Sequence, residues 1–466
     1  MPESTPTSTP ISVSSNGKDD IYDVLVVGAS FAGLSFAGVA AALGMRVLVV
    51  ERDAVVGGVV RTTGVLFSDV LDILDVPPEY LMNAVRRVVI APPTGEPLEI
   101  SSRTYRFYMA DVPGMLRWMA EVAERRGVTL LRGTMFLDAS GEGDGTMRVR
   151  LGAGSSGGNS EAETDENETS VGAQREQRKP QEQQGQQGQQ GQREKTVRAR
   201  FLVGADGAHS RVAQRMGLEQ NTHFLAGAEW LVEGVVLDRT TFYLVMNHEA
   251  APGYCVWLAP HHEIAALGVA GHARAFNPTK SLRLAQTLFQ DMADLSNMRI
   301  IQQKGGVIPV GGRLRRVYRD DAQGRVLLLG DAAGLCGAAT GGGIYPALIS
   351  GRLAAHAVAA EVLNGERGVI KAYQRNLAQA GRLGHYLKIE DWLRWALDRM
   401  NSNADVDALY GLFRSPAGHE MLQRALLEVP IIGMDSNFFS LLRSLLSKHP
   451  GLYGSALQAV WKRVTG

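Results

Sequence analysis

The chain is poor in cysteine and carries no net charge. Its 466 residues include only Cys255 and Cys336, too few for a disulfide framework and in no zinc-ligand spacing. We therefore expect a cytoplasmic protein in a reducing environment, with no bound metal. Lysine plus arginine and aspartate plus glutamate number 48 each, which argues against a nucleic-acid partner held mainly by charge.

Targeting signals are also lacking. Residues 1–20 have neither the basic nor the apolar segment of a signal peptide, and we expect a disordered tail there. Residues 24–45 carry no charge and are long enough to span a bilayer. Their order, an apolar run, a glycine turn and an alanine-rich run, is instead typical of a strand, a turn and a buried helix.

Residues 153–196 contain no aromatic residue, leucine, isoleucine or methionine. Such a segment buries too little apolar surface to offset its chain entropy, so we predict a disordered insertion. The flanking segments, 147–150 and 197–200, alternate like strands and are expected to pair as a hairpin. The insertion would then lie at the hairpin tip, where long loops cost little.

A glycine-rich turn follows the first predicted strand and opens a helix. Gly28 suits the tight turn, the small Ser30 suits close approach of a diphosphate, and Gly33 suits helix–strand packing. We assign this turn, with Phe31 and Ala32, to cofactor binding.

Glu51 ends the second predicted strand, at the position where a carboxylate binds adenosine ribose hydroxyls. Its charge disfavours a 2′-phosphate, which favours FAD or NAD over NADP. Arg52 follows it and is included in the predicted site.

Two further glycine-rich segments, 204–211 and 326–351, each follow an apolar strand. They supply Asp206, the pair Gly330 and Asp331, and the turn Gly341, Gly342 and Gly343 before Ile344. Since ligands of α/β sheets lie at the carboxyl ends of strands, three such segments suggest one long phosphorylated ligand.

The order GxSxxG…E, ADGxxSRVA and GDAAG…TGGGI resembles that of FAD enzymes built like p-hydroxybenzoate hydroxylase. The continuation TGGGIYxAxxSG is similar to the geranylgeranyl reductase family, which saturates isoprenoid double bonds. The likeness covers residues 22–373. It implies FAD as cofactor and an α/β (α+β overall) fold with a Rossmann-like FAD-binding domain, an antiparallel-sheet substrate domain and a C-terminal helical region.

This resemblance and the composition suggest three parts. We predict a discontinuous FAD-binding domain over 21–60, 111–220 and 305–375, and a substrate domain over 61–110 and 221–304. Residues 376–466 form the predicted helical region.

The resemblance also implies roles for single residues. Arg117 matches an arginine that touches the cofactor, although a solvated helix face is the plain alternative. Asp331 would bind the ribityl or diphosphate region, and Gly341–Gly343 would lie under the isoalloxazine, where their N–H groups could stabilise negative charge on the ring. Asp206 either lies near the flavin or belongs to an ordinary strand-end turn.

The substrate side departs from the family. Its strand often reads Tyr-x-Trp-x-Phe-Pro-Lys, and here only Trp257 and Pro260 are kept, with Cys255 at the tyrosine position. With Tyr105 and Phe107 these residues form the predicted substrate pocket. Cys255 is either a redox or proton-donating group or a buried small hydrophobe.

We expect an FAD-dependent oxidoreductase that reduces C=C bonds of a polyprenyl or isoprenoid lipid, or of a quinone, by hydride transfer. A monooxygenase, hydroxylating or epoxidising an apolar or aromatic substrate, is the alternative, and a non-enzymatic flavin or lipid binder is a third. Halogenation is disfavoured, because flavin halogenases need a lysine in the N-terminal third and none lies between Lys18 and Lys179.

Several points stay open from the sequence. No residue identifies itself as the catalytic acid, and the electron donor is either NAD(P)H or a ferredoxin. Apolar faces in the C-terminal region, such as Leu393 with Leu397 and the run 438–446, either pack on the body of the protein or allow peripheral membrane association. The oligomeric state is not indicated.

Overall fold

The computed structural model describes residues 21–103, 106–154, 194–273, 276–379, 381–416, 418–419 and 422–423. The strands are β1 (Ile21–Val27), β2 (Val47–Val50), β3 (Val65–Phe67), β4 (Leu81–Val85), β5 (Arg87–Ala91), β6 (Leu98–Ser101), β7 (Phe107–Ala110), β8 (Thr129–Leu131), β9 (Thr134–Gly141), β10 (Met147–Ala153), β11 (Lys195–Gly204), β12 (Phe224–Glu233), β13 (Thr241–Val245), β14 (Val256–His261), β15 (Ile264–His272), β16 (Arg299–Pro309), β17 (Tyr318–Asp321) and β18 (Gly324–Leu328). The helices are α1 (Phe31–Ala42), α2 (Val112–Arg125), α3 (Arg211–Arg215), α4 (Pro278–Leu288), α5 (Ile344–Asn364), α6 (Val369–Gln379), α7 (Gly381–Leu397) and α8 (Asn403–Phe413).

The first sheet has a parallel centre in the order β18-β11-β1-β2-β8. The last four residues of β1, all of β2 and the last four residues of β11 are buried and apolar, as expected for central strands of a parallel sheet that is covered on both faces. Parallel strands end at one edge, so the segments after β1, β2, β11 and β18 meet there. The run 24–45 is the end of β1, the glycine turn and α1, and no helix in the described part of the chain is long and apolar enough to cross a membrane.

The second sheet has seven strands in the order β16-β12-β15-β14-β13-β5-β6, most of them antiparallel. One face packs against α4 and neighbouring loops. The other face lies opposite the small sheet β3-β7-β4 and the helices α7 and α8. The predicted mixed fold class is therefore confirmed.

The hairpin predicted around the insertion is present, because β10 and β11 pair antiparallel with Met147 opposite Ala199 and Arg150 opposite Thr196. These strands take up residue 153 and residues 195–196, and the insertion from 155 to 193 lies outside the described residues. The tail 1–20 and the run 438–446 lie outside them too. The domain boundary predicted at 304/305 falls within β16, whose last five residues continue the second sheet.

Candidate flavin and substrate site

The turn after β1 has no room for side chains. Gly28 has φ +102°, and a Cβ there would lie 2.4 Å from the carbonyl oxygen of Ala205, the residue directly after the neighbouring strand β11. A Cβ at Gly33 would lie 2.0 Å from the carbonyl oxygen of Gly28. Only glycine fits both positions, so the first turn of α1 lies against the strand ends, as a dinucleotide site requires.

Helix α1 begins without a side-chain cap. Ser30 is the exposed N-cap residue, and its hydroxyl makes no capping hydrogen bond to the helix. The first N–H groups of a helix have no intrahelical acceptor and attract anions. Ser30 and this helix terminus therefore fit a diphosphate, whereas Phe31 and Ala32 are buried and can approach it only through their backbone.

Glu51 links the ends of β1 and β2. One carboxylate oxygen accepts the N–H of Ala29 at 2.7 Å and the other accepts that of Asp53 at 3.0 Å. Each oxygen keeps a second lone pair for a ribose hydroxyl. Arg52 is exposed, and its guanidinium lies 3.7 Å from the Asp53 carboxylate.

Asp206 lies directly beside the Gly28 turn, but its carboxylate has a structural role. It accepts hydrogen bonds from the Ser210 hydroxyl at 2.7 Å and the Val212 N–H at 3.0 Å, which fixes the start of α3. Burial raises the pKa of Asp206, while these hydrogen bonds favour the ionised form.

The third motif packs on the first. Gly330, with φ +54°, brings the loop after β18 so close to α1 that a Cβ would lie 3.0 Å from that of Ala32. Asp331 follows, half-buried, and burial raises the pKa of its carboxyl to about 6. A carboxylate kept from water at a strand end gains from hydroxyl donors, which the ribityl chain or ribose of FAD supplies.

The turn over 340–342 is held from two sides. On one side, in α7, the Glu390 carboxylate accepts the N–H groups of Ala339 and Thr340, both at 2.8 Å, and lies 3.0 Å from the Thr340 hydroxyl. The Tyr386 hydroxyl lies 3.1 Å from that hydroxyl and from the Gly342 carbonyl oxygen. On the other side, the Tyr254 hydroxyl donates to the Thr340 carbonyl oxygen.

The N–H groups of this turn differ from the expectation. Gly341 donates to the Gly337 carbonyl oxygen at 2.8 Å, and Gly342 lies 3.3 Å from the Thr340 hydroxyl oxygen. Two of the three glycine N–H groups are thus engaged within the loop. Gly343 caps α5, so its N–H and that of Ile344 are the ones that helical geometry leaves without an intrahelical acceptor.

Arg117 is exposed on α2, the helix that packs beside α1. Its contact with the cofactor stays a prediction.

An apolar cavity of about 380 Å³ meets the turn at Thr340 and Gly341–Gly343. Its floor is one face of the second sheet, where a single cross-strand row carries Lys304, Glu229, Gly268, Trp257, Leu244 and Ile90. Its other walls include Phe67, Phe107, Leu397 and Phe413. The row crosses six strands, roughly 24 Å at the usual strand spacing.

Three of the predicted pocket residues, Phe107, Cys255 and Trp257, line this cavity. The prediction for Pro260 was wrong. Side chains alternate along a strand, and Pro260 has the parity of Val256 and Leu258, which face α4 on the opposite side of the sheet. Tyr105 lies outside the described residues.

A buried polar cluster interrupts the apolar floor. Glu229 accepts the indole N–H of Trp257 at 3.1 Å and the Thr63 hydroxyl, and pairs with the Lys304 ammonium at 3.1 Å. The indole lies directly over Gly268, where a Cβ would be 2.1 Å from the ring. Neither this cluster nor the Glu390 contacts were found from the sequence, because single acids in otherwise regular segments carry no motif.

Comparison with known proteins agrees with this geometry. A family described as FAD binding domain matches residues 155–382, and one described as NAD(P)-binding Rossmann-like domain matches residues 26–88. The digeranylgeranylglycerophospholipid reductase of Methanocaldococcus jannaschii is 24% identical over 84% of this chain and 90% of its own. The geranylgeranyl diphosphate reductase of Rhodobacter capsulatus is 25% identical over 82% of this chain and 85% of its own.

Among solved structures, a geranylgeranyl bacteriochlorophyll reductase-like protein from Thermoplasma acidophilum superimposes with a TM-score of 0.71. It is 18% identical and covers 94% of this chain and 99% of its own. Flavin-dependent halogenases share the fold at TM-scores of 0.60 and 0.61, with 14% and 15% identity. The predicted FAD cofactor is confirmed, and so is the predicted likeness to geranylgeranyl reductases, to which the chain is similar over most of its length.

Proposed function

We propose that the protein reduces C=C bonds of a polyprenyl lipid or quinone, with reduced FAD as hydride donor. The observation that carries this proposal is the apolar cavity that begins at the Thr340–Gly343 turn and crosses the second sheet. Its extent suits a long chain better than a single ring. Two curated relatives named for reduction of geranylgeranyl groups support the same substrate class.

When bound, FAD supplies the two-electron chemistry, and the chain's own residues have to place the alkene. Because little charge that the protein could stabilise develops on an isolated C=C bond, catalysis depends mainly on positioning the alkene. The Trp257 indole provides a flat wall for it. Because the Glu229 carboxylate holds the indole N–H and Gly268 leaves room beneath the ring, that wall is fixed.

Access from a membrane surface is part of the same proposal. The cavity reaches β16, an edge strand of the second sheet, through residues 304–308. On this strand Ile300, Ile301 and Val307 are 42%, 50% and 41% exposed. Exposed apolar side chains beside a cavity mouth suit transfer of a lipid from a bilayer.

A monooxygenase is the alternative, because hydroxylases share the fold. The polarity of the cavity argues against a hydroxylated or phenolic substrate, since most of its lining is apolar and the two carboxylates among its described lining residues, Glu229 and Glu390, are already hydrogen-bonded. Halogenation remains disfavoured by the lack of any lysine from residue 19 to 178.

The proposal is tested by mixing dithionite-reduced holoenzyme with polyprenyl phosphates, polyprenyl glycerolipids and quinones without oxygen. We expect flavin reoxidation that depends on the alkene, and products that gain two hydrogens per double bond by mass spectrometry. If the flavin stays reduced in these anaerobic mixtures, and admitting oxygen then gives products that gain one oxygen atom, the protein is a monooxygenase instead. Replacing dithionite by NADH, NADPH or reduced ferredoxin then identifies the electron donor.

A further inference from the structure

We propose that Glu390 is the acid that gives the alkene its proton. This inference rests on the proposed reductase function and names the group that completes it. Glu390 lies in α7, in the C-terminal part of the chain, and nothing in its surrounding sequence marks it. The structure brings its carboxyl group to the cavity wall beside Thr340 and Gly341.

The position of Glu390 is well defined. Its side chain is buried, with 3% exposed, and lines the cavity at the turn expected to contact the flavin. It is held by the N–H groups of Ala339 and Thr340 on one oxygen and by the Thr340 hydroxyl on the other. A proton released from the Glu390 carboxyl group therefore enters the cavity beside the Thr340–Gly343 turn, away from bulk solvent.

The surroundings suit both protonation states. Burial raises the pKa of the Glu390 carboxyl, which favours the acid before the reaction. The two backbone N–H groups and the hydroxyl then stabilise the carboxylate that proton transfer leaves behind. A group stabilised in this way in both forms can give up a proton and recover it.

The other proton-bearing groups at this end of the cavity are weaker acids. Burial raises the pKa of the Cys255 thiol to about 12, and the pKa of the Tyr254 hydroxyl well above its usual value. The Tyr254 hydroxyl is also engaged with the Thr340 carbonyl oxygen. Of the two carboxylates lining the cavity in the described residues, Glu229 is held as an ion pair by Lys304, which leaves Glu390.

The atoms balance with this assignment. Saturating one C=C bond takes one hydride and one proton. Under the proposed function, the reduced flavin supplies the hydride. The O–H bond of Glu390 breaks as a C–H bond forms at the second alkene carbon. The remaining carboxylate takes a proton from water, so no further reductant or oxidant is needed.

The substitution Glu390→Gln separates proton donation from positioning. A glutamine oxygen can accept the N–H groups of Ala339 and Thr340, and its amide can donate to the Thr340 hydroxyl, so the contacts that hold the turn are kept. The matched control is Glu361→Gln, a buried glutamate in α5 that holds the Ile370 N–H and Arg325 and does not line the cavity in the part of the chain described. Glu390→Asp is the second variant. Its side chain is one methylene group shorter, so its carboxyl group would lie farther from the alkene.

We expect Glu390→Gln to bind FAD with unchanged affinity and to be reduced by dithionite like the wild type. Its single-turnover reoxidation by alkene should fall at least 100-fold, as for loss of a general acid. An infrared pH titration of the protein without substrate should lose the carbonyl band of one buried carboxylic acid. Glu361→Gln should keep both the rate and that band.

The charged and titratable groups that face Glu390 also affect its titration. These are Asp391, Arg394, Tyr254, Tyr386 and Cys336. Reoxidation within threefold of wild type in Glu390→Gln, or an unchanged carboxylic acid band, would overturn the proposal. If Glu390→Gln does not fold, Glu390→Asp decides, since full activity there would also overturn it. Failure of the wild type to react with any alkene would instead refute the reductase function.

Discussion

Asp331 illustrates how a residue predicted to bind the cofactor lowers the stability of the protein without that cofactor. Its carboxyl is half-buried at a strand end, and Gly343 approaches so closely that a Cβ there would lie 3.2 Å from a carboxylate oxygen. In the unfolded chain the pKa is near 3.8, and in the folded protein it is about 6. Below about pH 3 both states are protonated, so the shift has no effect on stability. As the pH rises through 3.8 to 6 the unfolded state loses its proton first, and above pH 6 the folded protein carries the full cost of a poorly solvated charge.

We predict that Asp331→Asn stabilises the apoprotein above pH 6 by about 3 kcal/mol, because the pKa shift penalises the folded state by that order. The gain should decline as the pH falls below 6 and vanish at about pH 3. FAD affinity should fall about 10-fold or more, since hydrogen bonds to a charged acceptor are lost. Thermal unfolding of the apoprotein against pH and calorimetric titration with FAD measure both effects.

The control is Asp206→Asn. Its carboxylate is also shielded from water, but it accepts hydrogen bonds from Ser210 and Val212, so this variant should lose stability at pH 8. If Asp331→Asn also lowered the melting temperature at pH 8, its carboxylate would be satisfied within the apoprotein and our account of it would fail.

Some site residues could be predicted singly and others could not. Gly28, Glu51 and Gly330 follow strands in a recognisable order, and backbone geometry dictates their types. Pro260 was misplaced because β14 is buried on both faces, which hides the alternation that fixes its direction. Glu390 was missed because it meets Thr340 across 50 residues of sequence, through helix packing that no local pattern encodes.

At the scale of elements, the FAD motifs depend on two helices that pack almost backbone to backbone. Gly351 in α5 faces α1, where a Cβ would lie 2.5 Å from the Ala32 carbonyl oxygen and 2.9 Å from the Phe36 nitrogen. The Ser35 hydroxyl donates to the Leu348 carbonyl oxygen at 2.8 Å across the same contact. The glycine turn before α1 and the turn before α5 are therefore held together.

We predict that Gly351→Ala pushes α5 from α1, lowers the free energy of unfolding by about 1–3 kcal/mol and weakens FAD binding. Chemical unfolding and FAD titration report the two losses. Gly411→Ala is the matched control, because a Cβ in α8 at that position meets nothing within 4 Å. It should be neutral or slightly stabilising, as alanine is the better helix former. Equal effects of the two substitutions would contradict the close-packing argument.

Elements marked by local motifs were predicted closely. The glycine turn was predicted to open a helix, and α1 begins at Phe31, directly after Ser30. The hairpin predicted from segments 147–150 and 197–200 is formed by β10 and β11. The parallel pairing of β5 with β13 was not predicted, because these strands are about 150 residues apart and their register depends on the whole sheet.

At the scale of the whole molecule, the cavity exists because three parts of the chain meet. The second sheet forms the floor, the Thr340–Gly343 turn forms one end, and α7 and α8 cover the rest. Helix α8 is fixed to the β5–β6 hairpin, since Asp407 binds the N–H and hydroxyl of Thr94 and the Tyr410 hydroxyl donates to the Glu96 carbonyl oxygen. Helices α7 and α8 of the C-terminal region thus complete the cavity that we propose to hold the substrate.

The far end of this cavity should set the chain length of the substrate. Leu244 in β13 lines the cavity, two strands away from Gly268, the glycine beneath Trp257. A larger side chain at position 244 would block a long substrate chain but leave room for a short one. We predict that Leu244→Trp lowers reoxidation of the reduced flavin by a twenty-carbon prenyl chain at least 10-fold relative to a ten-carbon chain, since about 1.4 kcal/mol of lost contact suffices. Tyr243→Trp, on the opposite face of β13, should cost stability and leave that ratio unchanged. A ratio shifted equally by both variants would mean that chain length is selected outside the cavity.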